Sequence, residues 1–377
     1  MTPAQPPLPW HAGRLPPAIA ALRAYDPGHD LVAWRRLCGE VLVELGSNEN
    51  PLGPSPRALA AAQSALAHSH RYPDPLGGDL KHALAERLGV LTGQVALGNG
   101  SHELLMMIAQ AFVPAGESVV FAQYGFAVFA IAAAAVGARG IAVPALAVDD
   151  RMPRGHDLDA LAAACTAQTR VLFLANPNNP TGTWFERDEM SALLERVPSS
   201  TLVVVDEAYH EYQPDPVGTT AVPLVVRHPN LLVTRTFSKA YGLAGLRVGY
   251  AVGAPEAVAV LERLRESFNV NALALAAAEA ALADEAHLHR VIAHNDAERS
   301  RMVAALAATG LVVSPSRTNF VLVDFGDAAR CAAIEARLQE QAVIVRPMIG
   351  YGLPHCLRVS IGSEAENSRI IEALTQA

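Results

Sequence analysis

Cysteine, charged residues and long apolar runs are all scarce in this sequence of 377 residues. The 4 cysteines are widely spaced and form no Cys-x-x-Cys pair, which excludes the usual zinc motifs and a disulfide framework and predicts a reducing, cytoplasmic location. The most membrane-like run, residues 126–136, is too short to span a bilayer. None of the 13 histidines has the i, i+4 pairing of a metal-binding helix, so we predict no metal site.

The charge balance and the amino terminus exclude further classes of protein. The formal net charge of -8 argues against a nucleic-acid-binding surface. Hydrophobic residues make up 51% of the chain and charged residues 18%, so we expect a globular protein with a large core. Residues 1–10 are rich in proline and lack the apolar core of a secretory signal. We therefore expect small-molecule partners, with no nucleic acid and no membrane.

The segment 236–247 carries the strongest chemical signal. An apolar strand is predicted at residues 231–234, so the segment lies at the carboxyl end of a strand, where open α/β sheets place their active sites. A lysine such as Lys239, if buried or near other cations, loses its proton near neutral pH and can form a Schiff base with an aldehyde. Thr236, Ser238 and Arg247 are donors suited to a phosphate. The aldehyde that also carries a phosphate is pyridoxal 5'-phosphate (PLP).

Taken alone, this segment has a second interpretation, in which Lys239 is a solvated loop lysine and Arg247 forms a surface ion pair. The spacing favours the first interpretation. Ser238-Lys239 followed by Arg247, with two glycines in between, resembles the cofactor-lysine segment of the class I and II PLP-dependent aminotransferases. The resemblance covers nearly the whole chain. It implies that Lys239 is the catalytic residue that binds PLP, with Thr236, Ser238 and Arg247 on the cofactor phosphate.

A second phosphate-binding element is predicted at residues 98–102, Gly-Asn-Gly-Ser-His. A strand, a Gly-x-Gly turn and a helix that begins at Ser101 would direct unpaired backbone N–H groups to an anion. The same pattern is also compatible with a plain helix start. The resemblance implies that Gly100, Ser101 and His102 contact the cofactor phosphate, although relatives often carry aspartate at the position of His102.

Polar and aromatic side chains at other strand ends are predicted to contact the cofactor ring. Asp206 follows the apolar strand 201–205, where a buried carboxylate needs a cation, and the protonated pyridine nitrogen supplies one. The resemblance assigns Asn179, in Asn-Pro-Thr-Gly, and Tyr209 to the phenolic oxygen, with a cis peptide bond expected after Asn179. It also implies that Tyr124 stacks on the pyridine face. The alternatives are a helix cap for Asp206, a rim aromatic for Tyr209 and a core aromatic for Tyr124.

Residues outside these segments complete the predicted site. The resemblance implies that Tyr72 crosses a homodimer interface to the partner's cofactor phosphate, unless it packs on its own subunit. Asn48, in Asn-Glu-Asn-Pro-Leu-Gly, would border the substrate pocket. Arg358 lies in an apolar strand and matches the arginine that binds the substrate's acidic group, with a structural ion pair as the alternative. Arg346 and Tyr25 lie in strings that resemble histidinol-phosphate aminotransferases, where they would hold the substrate phosphate.

The same resemblance implies a fold type I α/β architecture, with a large domain built on a mainly parallel seven-stranded sheet and a small α/β domain. We predict an arm at residues 1–28, where prolines block regular structure. The small domain is predicted from residues 29–70 and 285–377, and the large PLP-binding domain from residues 71–284. The strand at about residues 248–252 is expected to run opposite to its neighbours.

The implied activity is the conversion of L-histidinol phosphate and 2-oxoglutarate to imidazole-acetol phosphate and L-glutamate, a step of histidine biosynthesis. Three alternatives stay open. An aromatic or broad-specificity aminotransferase shares every cofactor residue, and a threonine-phosphate decarboxylase also binds a phosphorylated amine. The third is a regulatory domain that senses PLP, which usually carries a helix-turn-helix, and the stretch before Tyr25 is too short for one.

Overall fold

The structure of the protein is a computed structural model that describes residues 13–15, 17–22 and 29–375. The strands are β1 (Val43–Glu44), β2 (Val95–Gly98), β3 (Ser118–Ala122), β4 (Arg139–Val143), β5 (Thr169–Ala175), β6 (Leu202–Asp206), β7 (Leu231–Thr236), β8 (Gly249–Gly253), β9 (Val312–Val313), β10 (Phe320–Asp324), β11 (Val343–Ile344), β12 (Arg346–Pro347) and β13 (Cys356–Ser360).

The α-helices are α1 (Pro17–Ala21), α2 (Leu31–Cys38), α3 (Pro56–Leu66), α4 (Gly78–Leu88), α5 (Ser101–Phe112), α6 (Val128–Ala135), α7 (Leu158–Ala164), α8 (Arg187–Leu194), α9 (Pro216–Thr219), α10 (Pro255–Leu264), α11 (Ala272–Leu282), α12 (Glu285–Ala307), α13 (Ala328–Glu340) and α14 (Glu364–Thr375). Short 3₁₀ turns lie at Gly39–Val41, Thr92–Gln94, His210–Tyr212, Val222–Val226, Ala244–Leu246 and Ile349–Tyr351.

The large sheet has seven strands in the order β2-β8-β7-β6-β5-β3-β4. All neighbours from β7 to β4 pair in parallel, whereas β8 is antiparallel to both β2 and β7. The sheet is therefore mainly parallel, and its carboxyl-terminal edge collects the chain segments that follow β2, β3, β5, β6 and β7. The predicted fold class and the reversed strand after the lysine segment are confirmed.

Helices cover both faces of this sheet because its strands are apolar on both sides. Successive residues of a strand point to opposite faces, so Val203 and Val205 of β6 join one core and Val204 joins the other. The first core also takes side chains from α3, α4, α7, α8 and α11. The second core takes side chains from α5, α6 and α10.

A smaller unit combines segments from both parts of the sequence. Strands β12, β13, β10 and β9 form an antiparallel sheet in that order, and β1 pairs in parallel with β11. A separate core joins these strands to α12, α13 and α14. The segment around β1 is thus built into the same unit as the carboxyl-terminal third of the chain.

Two details bear on the predicted boundaries. The expectation that prolines leave residues 1–28 without regular structure is wrong for α1, because a proline at the first position of a helix costs no backbone hydrogen bond. Helix α3 packs against α11, on the large sheet, although residues 29–70 are predicted to belong to the small domain. The domain division stays a prediction. In the described part of the chain, no helix has the length and apolar character needed to cross a membrane.

Candidate active site

The cavity of interest lies at the carboxyl-terminal edge of the large sheet and is closed on its other side by the smaller unit. Its volume is about 670 Å³. The predicted site residues that line it are Asn48, Ser101, His102, Asn179, Asp206, Tyr209, Thr236, Ser238, Lys239, Arg247, Arg346 and Arg358. They come from segments that are distant in sequence, and parallel strand order brings them to one edge.

Lys239 lies in the loop after β7, with its amine inside the cavity. Its Nζ donates to the carbonyl oxygens of Ser47 at 3.1 Å and of Asn48 at 3.2 Å. Burial, and after it the positive charge of Arg358, lowers the pKa of Lys239 to about 8. A substantial fraction of this amine is therefore neutral, and nucleophilic, at mildly basic pH.

Asp206 is the last residue of β6 and forms the floor of the cavity. Its Oδ1 accepts a hydrogen bond from Thr234 Oγ1 at 3.1 Å. Burial raises the pKa of Asp206 to about 7, because the charged form is desolvated. A cation placed against this carboxylate would restore its ordinary acidity.

Tyr209 and Asn179 lie near Asp206 with their polar groups held in defined orientations. Tyr209 OH accepts from Asn48 Nδ2 at 2.8 Å, and its ring meets Phe320 edge to face at 5.3 Å. Asn179 Oδ1 accepts from Arg358 Nη1 at 2.5 Å. The peptide bond after Asn179 is cis, as predicted.

The opposite end of the cavity is built to receive an anion. Thr236 Oγ1 donates to Ser238 Oγ at 2.9 Å, and Arg247 Nη1 donates to the same Ser238 oxygen at 3.3 Å. Arg247 has a φ of 59°, a left-handed conformation that costs free energy and is therefore imposed by the surrounding structure. Helix α5 begins at Ser101, so its unpaired N–H groups face the same place.

Two features test whether PLP fits these residues. A Cβ atom added to Gly100, whose φ is 86°, would lie 2.5 Å from Arg247 Nη2. The glycine therefore lets the backbone approach a guanidinium closely, as a phosphate cradle requires. At the other end, the buried Asp206 is suited to a protonated ring nitrogen. The anion site and the acidic floor together fit PLP.

Arg346 and Arg358 lie directly opposite each other in the antiparallel pair β12–β13. Side chains at such positions share one face of the sheet with Cβ atoms about 5 Å apart. Both guanidinium groups line the cavity, and Arg358 Nη2 also donates to the carbonyl oxygen of Gly46 at 2.6 Å. Two adjacent positive charges on one wall form a strong site for an anion.

Three predicted residues are placed differently. Tyr124 follows β3 and packs against a small apolar cluster of Leu322, Met348, Leu353 and Cys356. It is not among the residues that line the cavity, and its stacking role stays a prediction. Tyr72 is 82% exposed and stacks on Phe268 with ring centroids 4.6 Å apart, away from the cavity of its own chain. Tyr25 lies outside the described residues.

Sequence reasoning missed residues that support the site from distant segments. Asn319 is buried, and its Nδ2 donates to the carbonyl oxygens of Asn48 at 3.0 Å and of Glu49 at 3.3 Å. Ser360 Oγ donates to Asn48 Oδ1 at 3.1 Å and accepts from the Asn48 backbone N–H at 2.8 Å. The one signal in the sequence is that Asn319 and Ser360 are polar residues at the ends of two otherwise apolar segments, which became β10 and β13.

The comparisons with known proteins agree with one another. A family model described as aminotransferase class I and II matches residues 40–374. Over 366 residues the chain is 50% identical to histidinol-phosphate aminotransferase 1 of Thiobacillus denitrificans, covering 96% of this chain and 93% of the relative. It is 48% identical to histidinol-phosphate aminotransferase 2 of Pseudomonas aeruginosa, covering 95% and 96%.

Among solved structures, the chain resembles the crystal structure of histidinol-phosphate aminotransferase from Sinorhizobium meliloti in complex with pyridoxal-5'-phosphate. The TM-score is 0.86 at 35% sequence identity, and the match covers 96% of this chain and 97% of that chain. The matched region includes every lining residue of the cavity from Gly46 to Arg358. This protein therefore belongs to the class I and II aminotransferases, enzymes that use PLP as their cofactor.

Proposed function

We propose that this enzyme transfers the amino group of L-histidinol phosphate to 2-oxoglutarate, which gives imidazole-acetol phosphate and L-glutamate in histidine biosynthesis. The names of the curated relatives and their identity over nearly the whole chain support this reaction. The observation that carries the choice of substrate is the position of two arginines on one wall of the cavity.

Arg346 and Arg358 are opposite each other in register on β12 and β13. This register places two positive charges side by side at the cavity, and an anion bound there would be attracted by both. A phosphate dianion presents three oxygens to two guanidinium forks, whereas one carboxylate satisfies only one fork well. The pair therefore favours a phosphorylated amino donor, and in the other half-reaction it would bind glutamate's carboxylates.

We propose that PLP is held by the following residues: Gly100, Ser101, His102, Thr236, Ser238 and Arg247 on its phosphate; Asn179, Asp206, Tyr209 and Tyr124 on its ring; and Lys239 on its aldehyde carbon. When bound, PLP supplies the electron sink for the charge that is released when the Cα–H bond of the amino donor breaks. Burial, and after it the charge of Arg247, lowers the pKa of His102 in the protein without cofactor.

Lys239 is assigned the proton transfer at the donor Cα. Its lowered pKa of about 8 keeps part of the amine deprotonated, so Nζ can accept that proton and return it. The carbonyl oxygens of Ser47 and Asn48 accept N–H bonds from Nζ and fix its position. The positive charges of Arg358 and Arg247 disfavour protonation of this amine, which keeps it available as a base.

Tyr209 and Asn179 are assigned to the phenolic oxygen of the cofactor. Because Tyr209 OH already accepts from Asn48 Nδ2, its own proton is left for donation into the cavity. Arg358 occupies Asn179 Oδ1, which leaves the Asn179 amide Nδ2 as the donor. Tyr209 and Asn179 are thus oriented as donors by their hydrogen bonds with Asn48 and Arg358.

We further propose a homodimer in which the exposed Tyr72 reaches the partner's cofactor phosphate. Its exposed ring, which does not line the cavity of its own chain, supports this role, whereas its stacking on Phe268 is the packing that the alternative expects. A cytoplasmic location is supported by the free state of all four cysteines, as expected in a reducing compartment.

A half-reaction with purified PLP-loaded enzyme tests the proposal. Histidinol phosphate, glutamate and phenylalanine are added singly, and conversion of the cofactor to its pyridoxamine form is followed by absorbance in a stopped-flow instrument. We expect fast conversion by histidinol phosphate and glutamate and much slower conversion by phenylalanine. Preference for phenylalanine would refute the phosphate assignment and leave the aminotransferase activity intact.

The second candidate, an aromatic amino-acid aminotransferase, is favoured by the apolar part of the same cavity. Phe126, Ile131 and Ile349 line it and would accommodate a phenyl ring. These residues would equally contact the carbon skeleton of an imidazole substrate, so the arginine pair decides between the two candidates.

A further inference from the structure

The charged side chains of the cavity are distributed unevenly. The cationic groups among its described lining residues are Lys239, Arg247, Arg346 and Arg358. The acidic ones are Asp206, on the floor beneath the proposed cofactor ring, and Glu335, on the side formed by α13. Besides Asp206, Glu335 is therefore the one acidic side chain among the described lining residues, and nothing in the cofactor chemistry requires it there.

Glu335 is held in place and retains acceptor capacity. Its Oε1 lies 3.2 Å from His29 Nε2, and the two side chains are only 19% and 16% exposed. The two atoms lie within ion-pair distance but are not hydrogen bonded. The buried His29 Nε2 has no hydrogen-bond partner among the described residues. Gln339 Nε2 donates to Glu335 Oε1 at a long 3.4 Å. A carboxylate has about four lone-pair sites, so further donors can bind.

We propose that Glu335 is a specificity-determining residue that accepts a hydrogen bond from an imidazole N–H of the amino donor, with His29 as the residue that positions it. The inference rests on the proposed function and names the part of the substrate that the arginines leave unrecognised. Histidinol phosphate carries an anion at one end and an N–H donor at the other. All three side chains line the same cavity, and we assign the anion to Arg346 and Arg358 and the N–H donor to Glu335.

This arrangement separates imidazole from phenyl donors. A phenyl ring has no N–H, so on binding it would leave the half-buried Glu335 carboxylate without the water that solvates it, at a cost in binding free energy. An imidazole satisfies the carboxylate, and its protonated form adds a favourable charge interaction. Glutamate carries no ring, so its half-reaction does not depend on Glu335.

The test uses the PLP-loaded enzyme with Glu335→Ala and Glu335→Gln, and Glu340→Ala as a matched control. Glu340 lies on the same helix and is exposed. The rate of cofactor conversion is measured against donor concentration for histidinol phosphate and for glutamate. We expect Glu335→Ala to lower kcat/KM for histidinol phosphate roughly 10- to 100-fold, which corresponds to the loss of a hydrogen bond to a charged group. Glu335→Gln keeps a neutral acceptor, so its loss should be smaller.

The glutamate half-reaction distinguishes recognition from a structural role. If His29 and Glu335 only anchor the chain to α13, both half-reactions fall together in Glu335→Ala, and the inference is wrong. It is also wrong if the wild-type enzyme converts histidinol phosphate and Glu335→Ala does so equally well. Failure of the wild-type enzyme to convert histidinol phosphate, with normal conversion by glutamate, would instead refute the proposed function and the inference with it.

Discussion

Replacing Asp206 with asparagine should stabilise the cofactor-free enzyme and reduce the stability that PLP adds to it. Burial raises the pKa of Asp206 from 3.8 to about 7, against the hydrogen bond from Thr234, which lowers it. The folded cofactor-free protein therefore binds this proton more tightly than the unfolded chain does. The contribution of Asp206 to the free energy of unfolding falls as the pH rises between these two pKa values and is constant above the second.

The size of the effect follows from the same two values. A pKa that rises from 3.8 to about 7 corresponds to about 4 kcal/mol of destabilisation above neutral pH. This is an upper bound, because water entry and small rearrangements relieve part of the cost of burying a charge. Asp206→Asn has no charge to desolvate, so its cofactor-free form should be more stable than wild type above neutral pH and by about half as much at about pH 5.5, with no difference only below the pKa of the unfolded chain.

The stability that PLP adds should change in the opposite direction. A protonated pyridine nitrogen gives the Asp206 carboxylate the cation that it otherwise lacks, and part of that interaction appears as cofactor affinity and therefore as stability. Asparagine cannot supply the negative charge. We expect Asp206→Asn to gain less stability from added PLP than wild type does.

Urea unfolding gives the free energy of unfolding of the cofactor-free and loaded forms at about pH 5.5 and about pH 8.5, for wild type and for the variant. Asp149→Asn is the control, because Asp149 is exposed and outside the cavity. The reasoning is refuted if cofactor-free Asp206→Asn is no more stable than wild type at the higher pH, or if PLP stabilises the variant as much as wild type.

Further predictions concern the base, the substrate wall and the phosphate cradle. Lys239→Ala should lower the rate of the half-reaction at least ~100-fold, as expected for loss of a general base, in a stopped-flow assay that also checks for bound cofactor. Arg346→Ala should lower kcat/KM for histidinol phosphate by ~10-fold or more, and less for glutamate, because one of two phosphate forks is lost. Gly100→Ala should destabilise the protein by ~1 kcal/mol or more and weaken PLP binding, since its Cβ would lie 2.5 Å from Arg247 Nη2 at a positive φ. Gly93→Ala, whose Cβ meets nothing within 4 Å, is the control for thermal unfolding and PLP titration.

The grouping of Asn179, Asp206 and Lys239 could be predicted from the sequence for a simple physical reason. Each follows an apolar run of strand length, and the carboxyl ends of parallel strands meet at one edge of a sheet. A polar residue at the end of such a run is therefore placed by the topology alone. The structure has these three residues in one cavity, as that argument requires.

Other parts of the site depend on contacts between distant segments and on strand register, which local sequence does not encode. The acceptors of Lys239 Nζ are carbonyl oxygens of Ser47 and Asn48, and backbone atoms leave no signature in the sequence. The pairing of Arg346 with Arg358 needs the register of two short strands. A buried ion pair between Glu207 and Arg235, with atoms 2.7 Å apart, was likewise not foreseen.

Arg358 would connect the proposed recognition of substrate with the orientation of Asn179, a proposed cofactor ligand. Its two terminal nitrogens donate to Asn179 Oδ1, in the loop after β5, and to the carbonyl oxygen of Gly46, just after β1. A guanidinium has five N–H donors in a rigid plane, so it can keep these bonds and still offer others to a substrate anion. The bond to Oδ1 is also what leaves the Asn179 amide as a donor. In the proposed complex, a substrate anion and Asn179 would therefore share one rigid guanidinium, an arrangement that the single compact charge of a lysine could not provide.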